Sequence, residues 1–458
     1  VNNQSGSSFK IYPPFLLVGV VVLLCVVATE LPMPSSVFGI ELKEVNFFSD
    51  FFKSKTKKNI AHKLSVDANL KSAADSLHFK GIAIENFYVS KNDKLISFID
   101  KLKNIKNKKT KVRIAWFGDS MVEGDLFVQD LREALQNQFG GEGVGFVPIT
   151  SVTGNFRQTI WTENSGNWQT VSVLKNDEHK LPLGIGGEAF IPQNASWVVF
   201  AAAKKKKHID FFHNAELFIY NPDSAASVDV TIDNATYQHI NIEPTNHLQK
   251  IIIANQQIFQ HIKISFNTSK TMYVYGVNFD SNDGVFVDNF GVRGASGVAM
   301  GTMQPYSLLV DWNTEHAYDL MILEYGLNIV SPKTMKYQWF EKSFPKTIQK
   351  MEETFPDAAT LLLSIGDRAI NKNGVYQTME QVPVFIDIQK NIAKQNNIAF
   401  WNMNEAMGGD SSMIKWINAK PRLANKDYTH INAKGGEVLG KKLFETIWFE
   451  VKRRELNL

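Results

Sequence analysis

The sequence predicts an α/β domain built on a parallel sheet and interrupted by an inserted block of short strands. Three observations carry this expectation. In residues 92–139, and again in 317–451, short buried apolar runs alternate with segments of helical period, as in sheets covered on both faces. Between them, in 149–279, the helical period nearly vanishes and runs rich in β-branched and aromatic residues dominate. Finally, the apolar run 112–117 ends in Gly118-Asp119-Ser120 and is followed by Leu131, Leu135 and Phe139 at helical spacing. The carboxyl end of a parallel strand is where open α/β sheets hold reactive groups.

The elements follow in chain order. Residues 14–29 are almost wholly apolar, with Lys10 the only nearby preceding charge. The run is short against the ~20 residues needed to span a bilayer, so residues 1–35 read as a signal peptide or a short signal anchor. The flank from Leu31 carries prolines and lacks a small-x-small cleavage pattern, which favours the anchor. Either reading exports the rest of the chain. The single cysteine, Cys25, lies inside this run, so the exported part is stabilised without disulfides. Residues 36–90 read as a stalk with short helices, such as 67–76. A helix is expected at 92–105 with Leu95, Phe98, Ile99 and Leu102 on one side. The α/β part then runs over 91–148 and 285–458. The block 149–284 between its halves reads as a β-sandwich, with strands expected at 196–201, 215–220, 227–232, 250–254, 261–266 and 271–279. Strands at 317–325, 360–365 and 398–401 alternate with helices at 337–355, 382–395 and 433–451.

Composition bounds the function. The 458 residues are 44% hydrophobic and 21% charged, with a formal charge of +3, an ordinary globular balance. Lysine-rich stretches at 101–111 and 204–207 read as solvated surface, and no nucleic-acid partner is expected.

The chemistry rests on a serine, an aspartate and a histidine. A serine hydroxyl is a poor nucleophile until a base takes its proton, and the base needs a group that holds its tautomer. Asp427-Tyr428-Thr429-His430 supplies both, since a carboxylate three residues before a histidine can fold back onto one ring nitrogen. The oxyanion that forms also needs donors aimed at it.

Four blocks in order resemble the SGNH (GDSL-type) hydrolase family: Gly118-Asp119-Ser120, Gly291-Val292-Arg293-Gly294-Ala295, Gly326-Leu327-Asn328, and Asp427 with His430. The third block departs from the frequent Gly-x-Asn-Asp pattern, with Ile329 after Asn328. The resemblance implies a three-layer α/β/α domain, with Ser120 as nucleophile, His430 as base and Asp427 as its orienter. It implies an oxyanion hole from the Ser120 and Gly294 amides and the Asn328 side chain, and no cofactor or metal. A narrower resemblance is to peptidoglycan O-acetylesterases, exported enzymes with a carbohydrate-binding-module-like sandwich between the first and second blocks. The stretch from Gly124-Asp125 through Leu131-Arg132 to Gly145-Phe146-Val147 is similar to that group. It implies an acetylated cell-envelope glycan as partner and acetyl removal as the reaction. Two alternatives stay open: a glycan O-acetyltransferase using the same triad, and a glycan-binding envelope protein with vestigial catalysis.

Other features have plainer readings. Gly141-Glu142-Gly143-Val144-Gly145 follows a helix and lacks a phosphate-loop lysine, so it reads as a turn. His208 and His213 match no metal motif. Asp119 is expected to organise the turn beside Ser120. Trp161, Trp168 and Trp197 are candidates for sugar stacking or for core, and Arg293 for contact with an anionic substrate. Asn194 and Asn234 head glycosylation-like triplets.

Overall fold

The computed structural model describes residues 81–89, 92–175, 180–303 and 306–456, together with a pairing of Ser36–Val37 and Ile40–Glu41. The apolar segment 14–29, Cys25 and the stalk helix expected at 67–76 lie outside the described residues. Among the described residues no helix is long and apolar enough to cross a membrane.

A six-stranded sheet organises the α/β part. In chain order its strands are β1 (Glu85–Asn86), β2 (Lys111–Gly118), β3 (Gly284–Gly291), β4 (Leu320–Glu324), β5 (Ala359–Leu363) and β6 (Ala399–Trp401). In space they run β3-β2-β4-β5-β6-β1, all parallel except β1, which pairs antiparallel to β6 at one edge. Residues 85–86, expected in the stalk, are thus part of this sheet. Period-two alternation drives β2 to bury both faces: Val112, Ile114 and Trp116 enter one apolar core, Ala115 and Phe117 the other.

Helices cover both faces. The main ones are α1 (Lys94–Lys108), α2 (Ser120–Glu123), α3 (Val128–Phe139), α4 (Tyr306–Glu315), α5 (Gln338–Thr354), α6 (Gln381–Gln395) and α7 (Ala433–Glu455), with short helical turns at Met403–Met407 and Ser412–Asn418. Leu95, Phe98 and Leu102 of α1, Leu131 and Leu135 of α3, and Leu439 and Leu443 of α7 fill one core. Trp312 of α4, Phe340 and Phe344 of α5, and Val382 and Phe385 of α6 fill the other. Each such side chain contributes about 1.5–3 kcal/mol of burial. The Asp93 carboxylate caps α1 by accepting the Ile96 N–H at 2.9 Å, so the helix starts two residues after the point its periodicity suggested.

The insert is two antiparallel sheets packed on a shared core of Phe190, Phe200, Phe212 and Val230, among others. One sheet holds Gly145–Pro148, which lies ahead of the expected boundary at 149 because it pairs with Tyr273–Phe279, and with it Gln169–Ser172, Glu188–Ile191, Ala215–Tyr220, Leu248–Ala254 and Tyr273–Phe279; the other holds Ile160–Asn164, Trp197–Ala202, Ala226–Ile232, Thr236–Ile242 and His261–Asn267. Sandwich and α/β part lie in one compact unit, Leu77–Leu458. Trp312 joins them, fully buried and stacked on Phe218 of the sandwich at 4.8 Å between ring centres.

Candidate active site

Strand order brings the first three sequence blocks together. β2 lies between β3 and β4, so the residues that follow these three neighbouring strands meet at one end of the sheet. Ser120 follows β2, Gly294 follows β3 and Asn328 follows β4. The chain passes from β2 to β3 on one side and then to β4, β5 and β6 on the other, a topological switch point of the kind that opens a crevice at the strand ends.

The Asp427–His430 loop reaches the same place from before α7. Ser120 Oγ lies 3.0 Å from His430 Nε2, and His430 Nδ1 lies 2.7 Å from Asp427 Oδ2. With Nδ1–H donating to the carboxylate, Nε2 is left to accept the Ser120 O–H. Asp427 Oδ1 also accepts the backbone N–H groups of Thr429 and His430, each at 3.0 Å. Partial burial pushes the Asp427 carboxyl up, but these hydrogen bonds outweigh it and hold the group below the usual carboxylate range. Tyr428, at φ +60°, lets the loop turn tightly, and its ring stacks on Tyr376 at 3.7 Å between centres. Tyr376 sits on a hairpin of Ala369–Lys372 and Val375–Thr378 that sequence periodicity did not signal.

Asp119 is fully buried and organises the turn beside Ser120, as expected. It caps α2 by accepting the Met121 N–H at 3.0 Å, and its second oxygen accepts from Asn328 Nδ2 at 2.8 Å. Burial pushes its carboxyl up to about 6, against the Met121 N–H and the charge of His430, which pull it down. Beside it Glu324, the last residue of β4, is buried with neither carboxyl oxygen hydrogen-bonded among the described residues. Burial first, and the nearby Asp119 second, push Glu324 well above the usual carboxylate range.

The expected donor residues differ in readiness. Gly294 adopts φ +82°, which favours glycine, and open space lies where a side chain would project. Asn328 Nδ2 donates to Asp119 and also, at 3.2 Å, to the Ala295 carbonyl. Both of its N–H groups are thus engaged, the bond to Ala295 being the longer.

A buried network fixes the turn from behind. Asp125 receives Arg132 through two N–H groups at 2.9 and 3.0 Å, Thr159 Oγ1 at 2.6 Å and Asn289 Nδ2 at 2.9 Å. Asn289 also donates to the Val122 carbonyl at 2.7 Å, tying α2 to β3. Burial opposes ionisation of Asp125, yet the Arg132 and Arg157 charges hold it far below the usual range.

Ser120, Asp427 and His430 open onto a groove of about 380 Å³ whose other walls include Thr153, Phe156 and Arg293. Thr153 and Phe156 belong to the first loop of the insert, a contribution local sequence patterns did not reveal. Arg293 reaches the groove but pairs with Glu123 at 3.0 Å. Of the three tryptophans, Trp161 and Trp197 lie on the outward sheet face, the latter with Lys263 5.0 Å over its ring, whereas Trp168 packs on Phe266. His208 bonds Asn137 and His213 pairs with Glu142, so the two face separate partners. In the 141–145 turn, Gly143 has φ +112° and passes so close to the Phe279 carbonyl that no side chain fits.

No family model matches the chain, and no curated protein matches it. Among solved structures, one of a peptidoglycan O-acetylesterase matches at TM-score 0.62 and 20% identity, over 80% of this chain and 99% of that one. The chain shares that esterase's fold. The α/β architecture expected from the four sequence blocks agrees with it. A family two carbohydrate esterase from Cellvibrio japonicus matches at TM-score 0.26 and 8% identity, over 65% of this chain and 99% of that one. Another, from Clostridium thermocellum in complex with cellohexaose, matches at TM-score 0.26 and 9% identity, over 60% and 96%.

Proposed function

We propose that the protein is an exported serine esterase that removes O-acetyl groups from a cell-envelope glycan, with peptidoglycan the first candidate. The continuous hydrogen-bonded path from Ser120 through His430 to Asp427, opening onto a groove, carries this reading. Ser120 Oγ attacks the acetyl carbonyl as His430 Nε2 takes its proton, and Asp427 stabilises the resulting imidazolium. The tetrahedral oxyanion is received by the Ser120 and Gly294 amides and by Asn328 Nδ2 once it leaves Ala295. Collapse expels the sugar alkoxide, which takes the proton from His430. Water then attacks the acyl-enzyme, His430 again serving as base, and acetate leaves. These steps need no metal or organic cofactor. The N-terminal apolar segment supports export, as a signal peptide or a signal anchor.

The test is acetate release from O-acetylated peptidoglycan, with acetylated xylan as comparison and glycan acetylation measured alongside. Release by the wild type, and a loss of at least about a thousandfold in Ser120→Ala, is the expected outcome. Equal activity of the two proteins, or net glycan acetylation, sinks the esterase reading.

A further inference from the structure

We propose that the first loop of the inserted sandwich is part of the substrate site, with Phe156 as a stacking platform for a pyranose ring of the acetylated glycan. This rests on the ester-hydrolase reading of Ser120 and extends it to how the sugar is held. Phe156 is 77% exposed, and it lines the same groove as Ser120 and His430. The residues on either side of it are anchored. Thr153 Oγ1 reaches the Glu123 carbonyl at 3.4 Å, at the end of the nucleophile helix. Arg157 bonds Thr159 Oγ1 at 2.9 Å and pairs with buried Asp125 at 3.5 Å. The turn closes on itself, the Phe156 and Arg157 N–H groups donating to the Thr153 carbonyl at 2.8 and 3.1 Å.

A large ring left exposed on so firmly held a loop serves neither core. Its position beside the nucleophile says what covers it: the acetyl ester must reach Ser120, and the sugar bearing it, or the next one, then lies along this wall. The C–H face of a pyranose suits the electron-rich face of an aromatic ring, and its hydroxyls suit the polar wall at Arg293 and Asn425. Small esters reach Ser120 without touching this wall.

Phe156→Ala is expected to lower the ratio of kcat/KM on O-acetylated peptidoglycan fragments to that on 4-nitrophenyl acetate about tenfold, equivalent to about 1.4 kcal/mol. The loss should fall mainly in KM, and Phe156→Trp should restore the ratio. An unchanged ratio, whether because both substrates suffer equally or because neither does, overturns the platform. A second measurement does not depend on turnover: binding of deacetylated peptidoglycan fragments to full-length Ser120→Ala is compared with the Ser120→Ala, Phe156→Ala double variant. A Kd raised at least fivefold in the double variant supports the proposal, and equal Kd values overturn it. Absence of acetate release by the wild type would count against the esterase function, while the binding comparison still decides the role of Phe156.

Discussion

Asp427 sits three residues before His430, and its two oxygens divide their work: one holds the ring, the other the backbone of its own loop. An amide at this position would keep the shape but present the wrong group to Nδ1. Asp427→Asn is therefore expected to lower kcat on an aryl acetate by about 10⁴-fold with little change in KM, by the logic of serine triads generally. Steady-state kinetics against circular dichroism separate this from unfolding. Asp119 carries a different expectation. Its folded carboxyl titrates near 6, above the 3.8 of the unfolded chain. The folded state thus binds more protons between these values, and Asp119's contribution to stability is full below about pH 3.8 and is lost as pH rises through 6. Urea unfolding of wild type and Asp119→Asn at pH 4 and pH 7 checks the sign. The wild type should lose up to about 3 kcal/mol relative to the variant on going to pH 7. A difference that stays flat with pH contradicts the burial argument.

At the scale of elements, the turn after β2 depends on charges that no water reaches. Arg132, on α3, joins its guanidinium to Asp125 and donates through Nε to the Val287 carbonyl of β3 at 2.9 Å. Removing one partner strands the other, so Arg132→Met is expected to cost about 3–5 kcal/mol in chemical denaturation. The loop after β4 has a similar tie, since Arg368 donates to the Leu327 and Val330 carbonyls on either side of Asn328. These ties were not legible in sequence, because Asp125 and Arg132 meet Val287, Asn289 and Thr159 only after the chain has folded across the insert. Local periods fared better. Strands at 215–220 and 261–266 were readable because their apolar residues alternate against one shared core. Thr236–Ile242 carries no clear signal in sequence because its polar residues Gln238, His239 and Asn241 break the apolar alternation. The Ser120 and Asn328 positions were readable as short motifs at strand ends, and Asp427–His430 as a four-residue motif in a loop. Phe156 was invisible, since an isolated phenylalanine in a polar loop carries no pattern until the fold sets it beside the serine.

For the whole molecule, the α/β part and the sandwich share a core rather than touching as separate bodies. Phe146, Phe218, Leu248 and Tyr275 of the sandwich belong to the same apolar cluster as Trp312 and Phe344. The wild type should therefore unfold in one calorimetric transition. Trp312→Ala, at about 3–5 kcal/mol, should lower the Tm and split the transition into two as the sandwich decouples. The short strand β1 has a consequence for where the catalytic part begins. It occupies the outer side of β6, while the Ile82 carbonyl just before it accepts from Trp401 Nε1 at 3.2 Å and Thr446 Oγ1 at 2.8 Å. A chain started at residue 91 would keep every residue of the groove and still bare an unpaired strand edge rich in apolar side chains. Such an edge recruits its own kind. Light scattering should then show concentration-dependent self-association that a chain started at residue 77 lacks, making the short stretch before residue 91 the guard against aggregation.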